Sequence, residues 1–298
     1  LMRGATWRDV VAPRDPFDPP ASPVRPGPDL TAASERPNVP LVKVQGLSYR
    51  YPSSGGGIDS VDLAIDRGRF VVITGRIGSG KTTLVNCITG FIGLGAGEVL
   101  YQGKRISGKP PHKIADMGIT RTFQIMRPYY SLPAYKNLVI PLFSPRAKRT
   151  GGWRGGGKLG DRNTVSIDIL EELGFERESF VPYKMASNLP TGYLKRLELA
   201  RCLALNPKVI ICDEVFSGLS MSEIASMVPL VERLQMEGIT LIMIEHRLRE
   251  LFQVANRIMV LNFGEKLIEG TAEEVMADEK VKEAYFGSEE VEEVMAHA

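Results

Sequence analysis

The chain is poor in cysteine and has no long apolar run, and each lack closes off a class of protein. Its 298 residues include three cysteines, Cys87, Cys202 and Cys212. None are spaced as C-x-x-C, so neither a metal knuckle nor a disulfide framework is expected. All three fall in apolar segments and are expected as free buried thiols. No apolar stretch approaches the roughly eighteen residues of a membrane span. If the protein works at a membrane, another chain supplies the spans. The N-terminus lacks the apolar core of a secretory peptide, so none is expected. A large excess of charge of one sign is missing too. Lys and Arg number 37 against 35 Asp and Glu, a net charge of +2, which is too weak a bias to point to nucleic acid.

What is present is an ordinary globular composition, 43% hydrophobic and 24% charged, in a chain long enough for one large domain or two small ones and for a sizeable core. Residues 1–40 hold nine of the twenty prolines and few large apolar residues. They are expected to be a disordered tail or linker. The folded domain should run from Leu41 to about residue 287, with an acidic tail at 288–298. Leu41–Val44 and Val61–Ile65 alternate as strands, and Ser53–Gly57 forms a turn between them. Val209–Cys212 and Leu241–Ile244 are wholly apolar runs between helical patterns, the sign of buried parallel strands. Tyr193–Leu205 has helical spacing, a helix at 221–236 should bend or break near Pro229, and residues 272–286 look helical. Ile167–Leu173 fits a short helix stopped by Gly174. Residues 128–145, with four prolines, should be loop with a short helix. Residues 146–162, with six cations and six glycines, are expected to be a mobile basic loop. The sum is an α/β fold with a mostly parallel core sheet and an antiparallel β portion at its start.

The chemistry centres on residues 70–83. Phe70–Ile73 is a buried strand, Gly75, Gly78 and Gly80 follow, and Lys81-Thr82-Thr83 opens a helix. This fits the phosphate loop G-x-x-x-x-G-K-[ST]. The glycines, with Ser79, let successive N–H groups face one anion, and the helix adds its positive end. Lys81 would reach the β- and γ-phosphates, and the Thr82 hydroxyl would hold Mg²⁺. A nucleoside triphosphate is therefore the expected ligand. Asp213 ends an apolar strand where a P-loop ATPase keeps its Mg²⁺-binding aspartate. Glu214 beside it is placed to act as general base on water.

The order phosphate loop, Gln124, a glycine turn before a helix, Asp213-Glu214 and then His246 resembles the nucleotide-binding domain of ATP-binding cassette (ABC) transporters. The resemblance implies a P-loop cassette with a helical subdomain at about 125–206, using ATP and Mg²⁺. It implies that Gln124 touches Mg²⁺ and senses the membrane partner, that His246 contacts the γ-phosphate, and that Tyr51, with Tyr49 as the competing choice, stacks on adenine. Ser217–Ser220 lies where the D-loop belongs. Arg121-Thr122-Phe123-Gln124, Lys195–Arg201, Ile244-Glu245-His246 and the tail Gly264-Glu265, Glu269-Gly270-Thr271, Glu274-Val275 and Ala284-Tyr285-Phe286-Gly287 are similar to the ATPase subunits of branched-chain amino acid importers. Those imply integral membrane permease subunits, a second ATPase subunit, indirectly a solute-binding protein, and a peripheral place on the cytoplasmic face of the plasma membrane. Another substrate (an amide, urea or a lipid) or a non-transport cassette protein are the alternatives.

The sequence departs from the family at the signature, usually Leu-Ser-Gly-Gly-Gln, which here is Leu189-Pro190-Thr191-Gly192-Tyr193. Pro190 lacks both the hydroxyl and the N–H. By the resemblance, Thr191 and Gly192 would serve the ATP of the partner subunit. Val215 stands for the usual proline, and Ser220 for the D-loop aspartate.

Overall fold

The computed structural model describes residues 39–153, 161–246, 251 and 253–285. The expected N-terminal tail, apart from Val39 and Pro40, lies outside these residues, as do the expected acidic tail and the middle of the basic segment.

Two sheets form the frame. In the first, β1 (Val42–Arg50), β2 (Gly57–Ile65), β4 (Ala96–Tyr101) and β5 (Lys104–Arg105) pair antiparallel in the order β2-β1-β4-β5. The second contains β3 (Phe70–Thr74), β6 (Ile119–Arg121), β7 (Val209–Asp213), β8 (Thr240–Ile244), β9 (Arg257–Asn262) and β10 (Glu265–Gly270). Its order is β10-β9-β3-β8-β7-β6, parallel throughout except for the closing β9-β10 hairpin.

Every residue of β3, β7 and β8 is buried, which is why these strands are apolar throughout instead of alternating. Their side chains still divide with period two. Phe70, Val72, Cys212 and Met243 join a core with the helices on one face. Val71, Ile73, Ile211 and Ile244 join a second core with α1 (Lys81–Ile88) and the antiparallel sheet. The three cysteines are free and buried. Burial pushes the Cys87 thiol up to about 11 and Cys202 to about 12, so neither is a nucleophile near neutral pH.

The remaining helices are α2 (Pro111–Met117), α3 (Lys136–Leu142), α4 (Pro145–Thr150), α5 (Arg162–Glu172), α6 (Thr191–Leu203), α7 (Met221–Met236), α8 (Ala272–Ala277) and α9 (Glu279–Tyr285). Leu138 and Leu142 of α3, Ile169 and Leu170 of α5, and Leu197 of α6 share the first core.

Several expectations are corrected. The basic segment begins as a helix, α4, capped by Ser144 Oγ on the Ala147 N–H. Arg146 is buried, donating to the carbonyls of Leu205, Asn206 and Asp116. Those carbonyls lie at or just past the ends of α6 and α2, so the arginine satisfies helix-end acceptors that sequence spacing cannot reveal. α5 starts at Arg162, after its Asp161 cap, five residues ahead of the expected start. α6 starts at Thr191 instead of Tyr193. α7 runs unbroken through Pro229. Pro229 and Ala225, whose carbonyl loses a donor, are both exposed, so the carbonyl is left open to solvent, while Ile224, Met227, Val231 and Leu234 form the buried stripe. The single helix expected at 272–286 is two, α8 and α9, parted at Asp278, whose extended backbone ends α8. α2 had no expectation, since only Ile114 of its seven residues is buried. Among the described residues no helix is long and apolar enough to cross a membrane.

Candidate nucleotide site

Parallel strands bring their C-terminal ends to one edge, where ligands of open α/β sheets collect. β3 runs into Gly75, β6 leads to Gln124, β7 ends on Asp213, and β8 leads through Glu245 to His246. The register pairs Ile73 with Ile244 and Asp213 with Ile244. Residues distant in sequence therefore meet across one crevice.

The loop between β3 and α1 is shaped by its glycines. Gly78 (φ 82°) and Gly80 (φ 102°) occupy left-handed backbone. A Cβ on Gly80 would come within 2.6 Å of Ile58 Cγ2 and 2.9 Å of the Gly57 carbonyl. β2 thus braces the loop, and the β9-β10 turn does so as well, because the Gly264 N–H donates to the Ser79 carbonyl at 3.1 Å. Ser79 is buried. α1 has no side-chain cap and no acid in its first turn, so its leading N–H groups suit an anion.

Lys81 is buried at the head of α1, and its Nζ donates to the carbonyls of Gly75 (2.5 Å) and Arg76 (2.9 Å). Burial lowers its pKa, against the opposing pull of Glu214 and Asp213. The Thr82 side chain is exposed and that of Thr83 buried.

Asp213 is buried at 3% exposure. Its N–H donates to Thr122 Oγ1 at 3.1 Å, and its Oδ2 accepts from Arg121 Nη2 at 2.5 Å. Glu214 follows with φ 49°, a left-handed conformation that a glutamate seldom adopts. It is held there on both sides. The Glu214 N–H donates to the Ile244 carbonyl (2.9 Å), and the Glu214 carbonyl accepts from Lys195 Nζ (3.0 Å). The turned backbone lets the carboxylate accept from Gln124 Nε2 at 2.7 Å through Oε2 and meet His246 Nε2 at 3.2 Å through Oε1. Gln124, Glu214 and His246, chosen from separate stretches of sequence, thus form one hydrogen-bonded group.

Tyr51 ends the β1 side of the hairpin whose far strand braces the loop. Its N–H donates to the Gly56 carbonyl at 2.8 Å. Tyr49 and Tyr51 rings meet edge-on, 5.0 Å apart. Tyr49 packs on the core and Tyr51 is not part of it, so Tyr51 keeps the freer face. Thr191 and Gly192 open α6. A Cβ on Gly192 would sit 2.7 Å from Glu223 Oε1 at the start of α7, so Gly192 lies against α7.

Four residues of the site carried no assigned role in the sequence: Arg121, Thr122, Lys195 and Glu245. Glu245 is 2% exposed and accepts from the Phe216 N–H at 2.7 Å. Burial pushes its carboxyl up to about 7. Lys195, also buried, has its pKa lowered first by burial, with Glu245 and Glu214 pulling it back up. Charged residues inside an otherwise apolar strand end and helix face were the available signal.

A glycine loop and lysine between a buried strand and a helix, facing acids and a histidine from neighbouring parallel strands, define a P-loop nucleotide-binding cassette. Residues 58–217 match the family described as "ABC transporter", and residues 265–291 match "Branched-chain amino acid ATP-binding cassette transporter". The chain is 32% identical over 259 residues to the high-affinity branched-chain amino acid transport ATP-binding protein LivG of Escherichia coli K12, covering 83% of this chain and 98% of that one. It is 31% identical over 258 residues to BraF of Pseudomonas aeruginosa, another such protein, with the same coverages. A nucleotide-free ATP-binding cassette from an ABC transporter superposes with TM-score 0.72 at 28% identity, over 84% of this chain and all of that one. The chain belongs to the ABC transporter ATP-binding proteins, and it is a nucleotide-binding ATPase.

Proposed function

We propose that this chain is the ATP-hydrolysing subunit of an importer for branched-chain amino acids, peripheral to the plasma membrane on its cytoplasmic face and bound there to separate permease subunits. The observation that carries the mechanism is the Gln124–Glu214–His246 group beside Lys81. Lys81 neutralises β- and γ-phosphate charge from inside the glycine loop, and the N–H groups at Ser79–Thr82 surround the same oxygens. Tyr51 stacks on adenine.

The donors suit Mg²⁺. They are the exposed Thr82 hydroxyl, the Asp213 carboxylate and the Gln124 amide, all of them hard oxygen donors. Phosphate oxygens and water would complete the shell. When bound, Mg²⁺ would neutralise charge developing between the β- and γ-phosphates. Glu214 takes the proton of the attacking water. Gln124 and His246 hold its two oxygens in line, and His246 adds a contact to the γ-phosphate.

Beside Gln124 lies an apolar groove of about 610 Å³, lined among others by Phe91, Phe123, Tyr129, Ile140 and Phe143. Exposed aromatic surface of this kind marks a docking site. In this reading it receives a permease subunit and passes its motion through Gln124. A second ATPase subunit, related but different, closes the site with its own signature, while Thr191 and Gly192 serve the partner's ATP.

The branched-chain substrate follows from the named relatives and from the match at 265–291. Two measurements test the whole. Glu214→Gln should lower ATPase activity by roughly 10²–10⁴-fold with ATP binding intact; lost binding would remove Glu214 from the role of base. In a reconstituted transporter with its solute-binding protein, leucine should stimulate ATP hydrolysis. Stimulation by urea and not by leucine would overturn the substrate.

A further inference from the structure

Arg121, at the end of β6, touches two regions that the proposed function treats separately. Toward the interior its Nη2 donates to Asp213 Oδ2 at 2.5 Å, with the two side chains 7% and 4% exposed. Nη1 donates to Asn86 Oδ1 of α1 at 2.6 Å and to Thr89 Oγ1 at 3.4 Å. Toward the groove, the guanidinium carbon lies 5.7 Å from the Phe91 ring centre and 5.4 Å from that of Phe123. Those rings meet edge-on at 5.6 Å and remain partly exposed in the groove. The Nε hydrogen has no acceptor among the described residues. The group is therefore fixed by Asp213, α1 and the two rings.

A buried ion pair contributes little net stability, because desolvation offsets the attraction. What it does supply is orientation. Asp213 has two oxygens, and the arginine engages one, Oδ2, so the carboxylate's rotation is set and the other oxygen remains for a metal or its water. The planar guanidinium suits this double duty, with its edge bonding the carboxylate and its face stacking on rings.

We propose that Arg121 is a positioning residue that fixes the Asp213 carboxylate for the metal and, through Phe91 and Phe123, ties it to the wall of the groove. This rests on the reading that Asp213 holds the metal. A cation beside a metal ligand also repels the metal, so the sign of the effect decides between positioning and competition.

The test uses the full chain carrying Glu214→Gln, saturated with ATP, with Mn²⁺ as the metal probe and free Mn²⁺ read by electron paramagnetic resonance. Arg121→Met should weaken Mn²⁺ binding by roughly 10–100-fold, the usual cost of losing an outer partner of a metal ligand. ATP affinity measured in chelator should not change. Arg121→Lys keeps the charge and loses the fork, and should weaken it by about threefold or more; it decides the matter if the Met variant does not fold. Unchanged or tighter Mn²⁺ binding overturns the proposal. Phe91→Leu with Phe123→Leu should shift affinity in the same direction by about threefold, and no shift would overturn the link to the groove. Asp213→Asn is the control. If it leaves Mn²⁺ affinity unaltered, the metal-site reading fails and takes the proposal with it; if it weakens Mn²⁺ binding and the Arg121 variants do not, only the role of Arg121 is overturned.

Discussion

At the scale of single residues, the site depends on charges placed where water cannot reach them. Glu245 is the clearest case. Its carboxyl is held at about 7, against 4.5 for the free group, mainly by burial. Its charged neighbours are Glu214, which raises the value further, and Lys195, which lowers it. Between these two values the folded protein keeps a proton that the unfolded chain has released, so this contribution to stability is whole below the unfolded value and is lost as pH rises through the folded one. Urea unfolding should therefore show stability falling from about pH 5 to about pH 7.5 more steeply in the native protein than in Glu245→Gln. The glutamine can still accept the Phe216 N–H but cannot titrate. Parallel pH profiles for the two proteins would show that Glu245 is already ionised in the fold.

At the scale of elements, the substitutions that set this chain apart from its family acquire local reasons. Ser220 caps α7. Its Oγ accepts from the Glu223 N–H at 3.3 Å, and the Glu223 carboxylate accepts from the Ser220 N–H at 2.8 Å. The same carboxylate faces Gly192, so the start of α6 and the start of α7 share one side chain. Ser220→Ala should cost about 1 kcal/mol, the usual loss for a cap. Gly192→Ala should displace Glu223 and forfeit much of the same cap. In a double-mutant cycle read by urea unfolding the two costs should fall short of additive; full additivity would mean that Glu223 does not join the two helices. Pro190 stands at the N-cap of α6 with no side-chain bond, so that helix start lacks the cap a serine would supply. No feature of the fold explains why Val215 stands where the family usually has proline.

At the scale of the whole molecule, legibility in the sequence followed the distance between partners. The glycine loop is one continuous stretch, Gly75–Thr82, and the buried strands are continuous apolar runs, so both could be found locally. Arg121 and Asp213 are 92 positions apart, and Lys195 and Glu214 are 19 apart. Their contacts exist only because β6 and β7 are neighbours and α6 brings Lys195 to the residue that follows β7. The basic segment misled for the same reason, since the acceptors of Arg146 lie 30, 59 and 60 positions away. Assembly beyond the single chain follows a similar logic. If α6 offers its N-terminus to the ATP of another subunit, Pro190 weakens that offer, and two copies of this chain would close both sites with the weakened signature. ATP at about 100 times its Kd should stabilise the single chain by about 2.7 kcal/mol through binding alone, and Lys81→Ala should abolish that shift. The Glu214→Gln chain with ATP should nonetheless remain monomeric in sedimentation, while Glu214→Gln with Pro190→Ser should self-associate measurably. A stable ATP-bound homodimer of the Glu214→Gln chain would show that Pro190 is no obstacle and that no different partner is needed.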